Sequence, residues 1–468
     1  MTRFPRPGAR PGSLPLLPPA ARALARAGNA AGRLAARVLA AAALAAGLAL
    51  TPATIGWAAT APQAAGTAAG PGAAAGPATS AGRVASAGPA MAGAHTAEAH
   101  QAATSAGDPF YIPPSPLPAG KPGDIIRYRP APAPLPGTQA WDVLYLSTTV
   151  AGSPVAVSGT VIVPTAPYPG GTRPVVAYAS GTQGWGDQCA PSAEMASGTY
   201  DEQFAVNNLL AKGWAVAVTD YPGLGTPGDE TYSVGIAEGY AVLDVMRAAA
   251  SLPGAGLSRG APMAIEGYSQ GGGAAGWAAQ LQPAYAPDMH LVGVAAGGTP
   301  ASLQAVAANI NGSAFFAFLG GSAIGFNAAY PSRHLLSDLT PYGQTALAQL
   351  DTMCQGTALP LYAFQRIENY TVGNVNPISE PRWQAVLNAN DLGAMKPAVP
   401  LLQYHGLADE VIPYQVEATL HQQWCAMGVT TQLTAFPGDH VLTQIEAQPA
   451  VANWISDRLA GTPAPGNC

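Results

Sequence analysis

The sequence has 468 residues, of which 20 are basic and 26 are acidic, and 48% of its residues are hydrophobic. This length is sufficient for one large domain or two ordinary ones. Beyond residues 1–59 the sequence contains no basic patch, which argues against nucleic acid as a partner and against strong attraction to anionic lipid headgroups.

The N-terminal segment predicts export. Residues 1–37 carry seven arginines and no acidic residue, and a run of thirteen apolar residues follows from Val38 to Leu50. A basic segment, a short apolar run and a small-residue exit are typical of a secretory signal peptide, which we place at residues 1–59. The run is short for a membrane span, and a retained N-terminal anchor is the alternative. The abundance of Ala, Arg and Pro in this leader is typical of a high-GC bacterium, with secretion into the medium or the cell envelope.

The next segment, residues 60–107, consists almost entirely of Ala, Gly, Pro, Ser and Thr. Because it has few large apolar groups and no periodicity, it cannot bury enough surface to fold, and we interpret it as a disordered linker. Folded sequence is expected from Asp108 onward. Removal of residues 1–59 would leave 13 basic residues against 26 acidic ones.

Strand-like and helix-like segments alternate through the rest of the chain. An early pair of alternating segments predicts a hairpin, and short apolar runs predict further strands. The hairpin is expected at 141–150 and 155–164, and the strands at 174–179, 214–219, 263–265, 291–296, 399–404 and 431–436. Helices are expected at 203–212, 234–250, 273–281, 415–427 and 445–459. Such alternation predicts an α/β fold with a mostly parallel sheet and helices on both faces.

One long segment interrupts this alternation. Residues 302–395 contain helix-like runs and no clear strand, so we interpret them as an inserted helical cap. The α/β core is then expected to comprise residues 108–301 and 396–468.

The pattern G-x-S-x-G, which can mark the nucleophilic serine of a hydrolase, occurs twice. Ser269 stands between a short apolar run and a small-residue helix that begins with three glycines, as a strand–turn–helix elbow requires. Ser258 stands between Pro253 and Pro262 in a segment that is typical of a loop. We therefore expect Ser269 to be the nucleophile and Ser258 to be a loop serine.

A serine nucleophile needs a base, and the base needs an acid, which in such a sheet follow in the chain order Ser, acid, His. Asp409 follows a predicted strand in a G-x-x-D-x-x-V/I-P turn and is preferred to its neighbour Glu410. His440 follows the last predicted strand and precedes the final helix, so it is the expected base. His405 lies before Asp409 near a strand end and is expected to pack or to line the site.

An oxyanion hole requires two donors that point at the developing charge. The first is expected to be the backbone N–H of Gln270, the residue after the nucleophile. The second is expected from the Gly-rich loop at 180–186, from either Thr182 or Gln183. The alternative is that this loop is an ordinary turn without a catalytic part.

The start of the predicted cap is unusually apolar. The segment from Ala314 to Phe326 has several phenylalanines, small residues and no charge, as a channel for an acyl chain would require. The alternative is that these side chains form the core of the cap itself. The candidate acyl-binding residues are Phe315, Phe316 and Phe318.

The four cysteines, a small and even number in a chain predicted to be secreted, indicate two disulfides. They are far apart and form no C-x-x-C motif, which argues against a zinc site. Three pairings are possible among Cys189, Cys354, Cys425 and Cys468.

Taken in order, the motifs resemble those of the secretory lipase family typified by Candida antarctica lipase A. The resemblance runs from residue 108 almost to the C-terminus and implies an α/β-hydrolase fold, a helical cap over the acyl site and hydrolysis of lipid-like esters. The motifs are DQCAPS (187–192), WAVAVTDYPGLG (214–225), AEGYAVLDVMRA (237–248), EGYSQGG (266–272), GGTPAS (297–302), ADEVIPYQ (408–415) and GDH (438–440).

The resemblance also assigns individual residues. Ser269, Asp409 and His440 match the triad motifs of the family one by one. The family's two disulfides match the pairs Cys189–Cys354 and Cys425–Cys468.

These observations favour a secreted serine carboxylester hydrolase, a triacylglycerol lipase-like enzyme or a broad esterase, that acts through an acyl-enzyme. Its expected partners are small-molecule ester or lipid substrates, met at a lipid–water interface, and the protein is expected to be a monomer that needs no metal and no cofactor. An acyltransferase or a polyester depolymerase with the same triad is the alternative. A third hypothesis is a non-enzymatic envelope protein on an inactive hydrolase scaffold.

Overall fold

The structure is a computed structural model that describes residues 107–468. The predicted signal peptide at 1–59 and the predicted linker at 60–107 lie outside the described residues, apart from Gly107. Among residues 107–468, no helix combines the length and the apolar character needed to cross a membrane.

Nine strands form one sheet within the described part of the chain, in the order β1-β2-β3-β5-β4-β6-β7-β8-β9. The first three strands and β5 pair antiparallel, whereas every pair from β5–β4 to β8–β9 is parallel. The strands are β1 Ile125–Ala131, β2 Thr138–Thr148, β3 Pro154–Pro164, β4 Val175–Ala179, β5 Ala215–Thr219, β6 Met263–Tyr268, β7 Leu291–Gly297, β8 Leu401–Gly406 and β9 Thr431–Phe436.

Eleven α-helices connect and cover these strands in the described residues. They are α1 Pro191–Ser197, α2 Gln203–Ala211, α3 Gly235–Ser251, α4 Gln270–Tyr285, α5 Leu303–Ile310, α6 Phe316–Ala329, α7 Pro341–Leu350, α8 Gln355–Tyr362, α9 Pro381–Ala389, α10 Tyr414–Ala426 and α11 His440–Leu459. Short 3₁₀ helices occur at Pro109–Tyr111, Asp187–Cys189, Pro331–Arg333, Leu335–Asp338, Ile367–Asn369, Val372–Asn374 and Pro377–Ser379.

The parallel strands are buried on both faces, as their continuous apolar sequences predict. Along β4, Val175 and Ala177 point into one core with residues of α3 and α4, whereas Val176 and Tyr178 point into a second core with residues of α2 and α11. The sheet is therefore covered by helices on both sides, which leaves the carboxyl ends of its strands as the edge where loops can form a site.

Residues 302–395, which we call the helical insertion, lie between β7 and β8 and comprise α5 to α9 with short 3₁₀ turns. The disulfide between Cys189 and Cys354 joins this insertion to the segment after β4. Beside it, the N–H of Trp185 donates to Met353 O at 2.9 Å. Phe316 of α6 packs in the same core as α3 and α4. The insertion is thus joined to the α/β core by a covalent bond and shares the hydrophobic core on the α3 and α4 side of the sheet.

The second disulfide joins Cys425 of α10 to Cys468. Both pairs are those that the resemblance implied. The described residues contain no free cysteine.

Candidate active site

Ser269 occupies the turn between β6 and α4, and its backbone is unusual. Its φ is 59° and its ψ is −122°, a region that a residue with a side chain rarely adopts unless the surrounding structure imposes it. A Cβ at Gly271 would collide with Ala179 O of β4, and a Cβ at Gly272 would collide with Gly297 O of β7. The glycines of the motif are therefore required because α4 begins in contact with both neighbouring strands.

Ser258, the serine of the other G-x-S-x-G pattern, lies in an exposed loop between α3 and β6. Its hydroxyl accepts a hydrogen bond from the N–H of Gly260 at 3.2 Å. The prediction that this serine belongs to a loop is confirmed.

The structure brings the three predicted residues together at the carboxyl ends of β6, β8 and β9. His440 Nε2 lies 2.9 Å from Ser269 Oγ, and His440 Nδ1 lies 2.7 Å from Asp409 Oδ2. Asp409 follows β8, and His440 is the first residue of α11 after β9. These contacts give the hydroxyl a base within hydrogen-bond reach and give the base an acid partner.

Glu410 has a different position from its neighbour. Its carboxylate accepts the backbone N–H of His440 at 3.1 Å rather than a ring N–H. Asp409 is fixed by the N–H groups of Val411 and Ile412, which donate to its Oδ1 at 2.9 and 2.8 Å. The carboxyl group that faces the imidazole is therefore that of Asp409.

Asp409 is held as a carboxylate by its surroundings. Burial acts to raise the pKa of Asp409, but hydrogen bonds from His405 and His440 and from the N–H of Ile412 hold that pKa well below its usual value. An ionised carboxylate at this point would stabilise an imidazolium that forms at His440.

A cavity of about 170 Å³ opens beside Ser269 and is lined mainly by apolar side chains. The core contributes Gln270 and Trp277, and the helical insertion contributes Phe316 and Phe318 among others. Phe315 differs from the expectation, because it precedes α6 and does not line this cavity. Its ring stacks on that of Phe318 at a centroid distance of 6.4 Å. The cavity has the apolar character and the position that an acyl chain attached to Ser269 would need.

The family model for secretory lipases matches residues 190–467, which is more than half of the chain. The chain belongs to the secretory lipase family. This secretory lipase is 31% identical over 404 residues to lipase 10 of Candida albicans, a match that covers 77% of this chain and 82% of the relative. It is 29% identical over 384 residues to a secreted triacylglycerol lipase of Malassezia globosa, with 77% of this chain and 83% of the relative covered.

Solved structures agree with the sequence comparison. The structure of Candida antarctica lipase A in its closed state superposes on this secretory lipase with a TM-score of 0.70, at 25% identity, covering 78% of this chain and 90% of that chain. The predicted α/β-hydrolase fold is confirmed. The protein is a secreted carboxylic ester hydrolase of the lipase and esterase type.

The predicted oxyanion loop of this lipase lies beside the nucleophile turn. A Cβ at Gly181 would lie 3.4 Å from Tyr268 O, immediately before Ser269. In this loop the hydroxyl of Thr182 lies 2.8 Å from the hydroxyl of Tyr232, and the side-chain amide of Gln183 donates to Gly181 O at 3.2 Å. Both side chains are thus engaged within the protein, so a donor from this loop would be a backbone N–H.

Sequence reasoning missed a pair of buried carboxyl groups around Gln270. The Gln270 side-chain amide donates to Glu230 Oε1 at 2.9 Å and to Glu238 Oε1 at 3.0 Å. Burial raises the pKa of Glu238 to about 8 and that of Glu230 well above its usual value. Glu230 stands in a polar segment and Glu238 in a predicted helix, and nothing in the sequence indicates that the two meet.

His405 was expected to pack or to line the site, and it packs. Its ring is fully buried behind Asp409, with Nε2 at 3.2 Å from Asp409 Oδ2.

Within residues 107–468, one group of potential metal ligands lies close together, namely His421, Cys425 and Cys468, but the two sulfurs belong to the Cys425–Cys468 disulfide. Disulfide sulfur does not supply the thiolate that metals bind.

Proposed function

We propose that Ser269, His440 and Asp409 form the catalytic triad of a secreted lipase that cleaves lipid-like esters through an acyl-enzyme. The observation that carries this proposal is the continuous pair of contacts, 2.9 Å from Ser269 Oγ to His440 Nε2 and 2.7 Å from His440 Nδ1 to Asp409 Oδ2. The triacylglycerol activity named for the Malassezia globosa relative supports a glyceride or a similar ester as substrate.

The reaction proceeds in two steps. Ser269 Oγ attacks the ester carbonyl while His440 Nε2 takes the hydroxyl proton, and His440 then gives this proton to the alcohol as the C–O bond breaks. Water attacks the acyl-enzyme in the second step, with its proton taken by His440 and returned to Ser269 Oγ as the acid is released. The carbonyl oxygen is stabilised by the N–H of Gln270 and by a backbone N–H from Thr182 or Gln183.

The cavity receives the acyl chain, and the helical insertion acts as the cap over it. Phe316 and Phe318 form part of the cavity wall on the side of this cap. Burial of acyl methylenes there would favour longer chains by about 0.8 kcal/mol for each methylene.

We propose that the protein is a monomer and that it acts at a lipid–water interface. The helical insertion has an outer surface with large apolar side chains exposed, and a second set lies beside His440. The first set is Leu336, Tyr342, Leu361, Phe364, Val372 and Val375, and the second is Leu407, Val441, Leu442 and Ile445. A surface that carries large exposed apolar side chains is suited to contact with a lipid. The composition of the leader supports a high-GC bacterial source.

The test compares Ser269→Ala with Ser258→Ala on p-nitrophenyl esters of graded chain length. Ser269→Ala should lower kcat by about a thousand-fold or more, because the members of a triad act as a unit. Ser258→Ala is the matched control, since it removes the serine of the other G-x-S-x-G pattern from an exposed loop and should leave kcat unchanged. Full activity in Ser269→Ala, or loss of activity in Ser258→Ala alone, would disprove the assignment.

A further inference from the structure

A chain of buried polar groups continues beyond Asp409, away from the cavity. His405, on β8, has Nε2 at 3.2 Å from Asp409 Oδ2 and at 2.8 Å from Ile412 O. Its Nδ1 lies 3.2 Å from Glu417 Oε2, on α10. The side chains of His405, Asp409 and Glu417 are fully buried. The contacts therefore run without a break from Ser269 through His440, Asp409 and His405 to Glu417.

The contacts of the His405 ring determine its protonation. Nε2 faces a carbonyl oxygen and a carboxylate oxygen, and since both only accept, Nε2 carries a hydrogen. Glu417 accepts from the N–H of Thr299 at 2.8 Å on Oε2 and from the side-chain amide of Gln403 at 2.7 Å on Oε1. Glu417 thus accepts hydrogen bonds on both oxygens, and its Oε2 is also within hydrogen-bond distance of Nδ1. This arrangement suits an imidazolium at His405 that donates from both ring nitrogens.

We propose that His405 is a positioning residue that acts as a buried counter-ion: paired with Glu417, it orients Asp409 toward His440 and offsets part of the charge of Asp409. This inference rests on the proposed triad. His405 does not touch the substrate and acts through Asp409 alone.

The groups that face His405 come from the loop after β8 and from α10. The loop after β8 contributes Asp409, and α10 contributes Glu417 and the ring of Tyr414, whose centroid lies 5.9 Å from that of His405. Beyond Asp409 lies His440. Burial acts to lower the pKa of His405, but the two carboxylates outweigh burial and raise it to about 10.

This charge has a consequence for the reaction. Asp409 Oδ2 contacts the rings of both His440 and His405. When His440 takes the proton of Ser269, a second imidazolium forms beside the same oxygen. A cation already present at this oxygen opposes the formation of the second one. Removal of the His405 charge should therefore move the acid limb of the kcat/KM profile to higher pH.

The first experiment measures the charge directly and needs no substitution. The protein is labelled with ¹⁵N in its histidine rings, and the ring nitrogens are followed by NMR from pH 6 to pH 9. One histidine should keep hydrogens on both ring nitrogens up to pH 8 or above. If no ring keeps both hydrogens at pH 8, the proposal is wrong. Because this readout does not depend on turnover, it is independent of the Ser269→Ala test of the triad.

The second experiment compares His405→Gln with the wild type and with His290→Gln, which removes an exposed histidine before β7. The acid limb of kcat/KM should move up by about one pH unit in His405→Gln, the usual size of the effect of one close charge. It should stay in place in His290→Gln. A lower kcat with an unmoved acid limb in His405→Gln would mean that the residue is structural only. If His405→Gln does not fold, the NMR experiment still decides the question.

Discussion

Glu238 brings an ionisable group into the mainly apolar cavity that Ser269 also lines. Burial raises the pKa of this carboxyl group to about 8, against hydrogen bonds from Gln270 and from the N–H of Ser233. Below pH 8 the group is neutral, whereas above it a negative charge would oppose the oxyanion that develops at the ester. We expect kcat/KM to fall by about ten-fold above pH 8, which corresponds to about 1.4 kcal/mol, as measured in a pH-stat from pH 6 to pH 10.

Glu238→Gln supplies the test of this assignment, since a glutamine can still accept the N–H groups of Gln270 and Ser233 but cannot ionise. The alkaline fall should disappear in this variant. Glu446→Gln, at an exposed glutamate of α11, is the control and should retain it. A fall of the same size and midpoint in Glu238→Gln would assign the effect to another group.

At the same scale, the sequence was sufficient to predict the three residues that meet at the site. The fold dictates the chain order Ser, acid, His. Within that order Ser269 and Asp409 could be selected by their motifs, and His440 by its position after the last predicted strand. Glu417 could not, because its contact with His405 joins a helix to a strand and depends on how they pack. The same holds for Glu230, which meets Gln270 across forty residues of chain.

Secondary-structure elements were predicted well in number and less well at their ends. The last helix was expected from residue 445 but begins at His440, where the side chain of Asp439 accepts the N–H of Leu442 as an N-cap. Helix α4 was expected from residue 273 but begins directly after Ser269. In both cases the helix begins earlier than predicted, directly at the site, so that its first residue, Gln270 in α4 and His440 in α11, lies beside the reacting groups. Strand β1 was missed because it lies at the edge and has a weak apolar pattern.

Helix α6 should determine which acyl chains the enzyme prefers. Phe316 and Phe318 line the cavity, so Phe316→Trp or Phe318→Trp would reduce the space for an acyl chain. With wild-type enzyme, kcat/KM for p-nitrophenyl esters should rise by up to about four-fold for each added methylene until the cavity is full, as 0.8 kcal/mol for each methylene requires. In the two tryptophan variants the rise should stop at a shorter chain.

Phe315→Trp is the matched control for α6, since Phe315 stacks on Phe318 without lining the cavity. Its profile should resemble that of the wild type. If both cavity variants lower the melting temperature and leave the preferred chain length unchanged, Phe316 and Phe318 belong to the core of the cap, and the acyl chain binds elsewhere.

For the molecule as a whole, the alternation of strands and helices predicted a parallel sheet with helices on both faces. It could not predict the strand order, in which β5 lies between β3 and β4 and pairs antiparallel with β3. Strand order depends on where in the sheet each connection places the next strand, and the hydrophobic periodicity of the sequence carries no information about this placement. The cavity could be predicted only in part. The apolar segment from Ala314 to Phe326 indicated Phe316 and Phe318, whereas the contribution of Trp277 from the core depends on how α4 packs against the helical insertion.

Buried carboxyl groups should make the folded protein less stable as the pH rises. Burial raises the pKa of Glu202 to about 7 and that of Glu266 to about 8, besides that of Glu238. Between pH 4.5 and these values the folded state holds protons that the unfolded chain has lost, so each group disfavours folding by about 1.4 kcal/mol per pH unit in that window. His405 adds to the fall above pH 6.5, whereas Asp409 affects stability only below its usual pKa. The free energy of unfolding, from urea titrations, should fall from pH 5 to pH 8.

Glu266→Gln tests the origin of this dependence. Glu266 Oε1 accepts the side-chain amide of Gln448 at 2.8 Å, a contact that a glutamine carbonyl can replace. The variant should show a shallower fall between pH 5 and pH 8, and the exposed-site variant Glu446→Gln should match the wild type. Stability that is constant or that rises across this range would contradict the prediction.

The two disulfides are consecutive along the chain, since Cys189 pairs with Cys354 before Cys425 pairs with Cys468. A secreted chain crosses the membrane from its N-terminus, so its thiols reach the oxidising compartment in that same order. If each thiol is oxidised together with the preceding unpaired thiol as it emerges, the two native disulfides form directly. Nested or crossed bonds would instead require slow reshuffling, and this chain should mature without help from a disulfide isomerase.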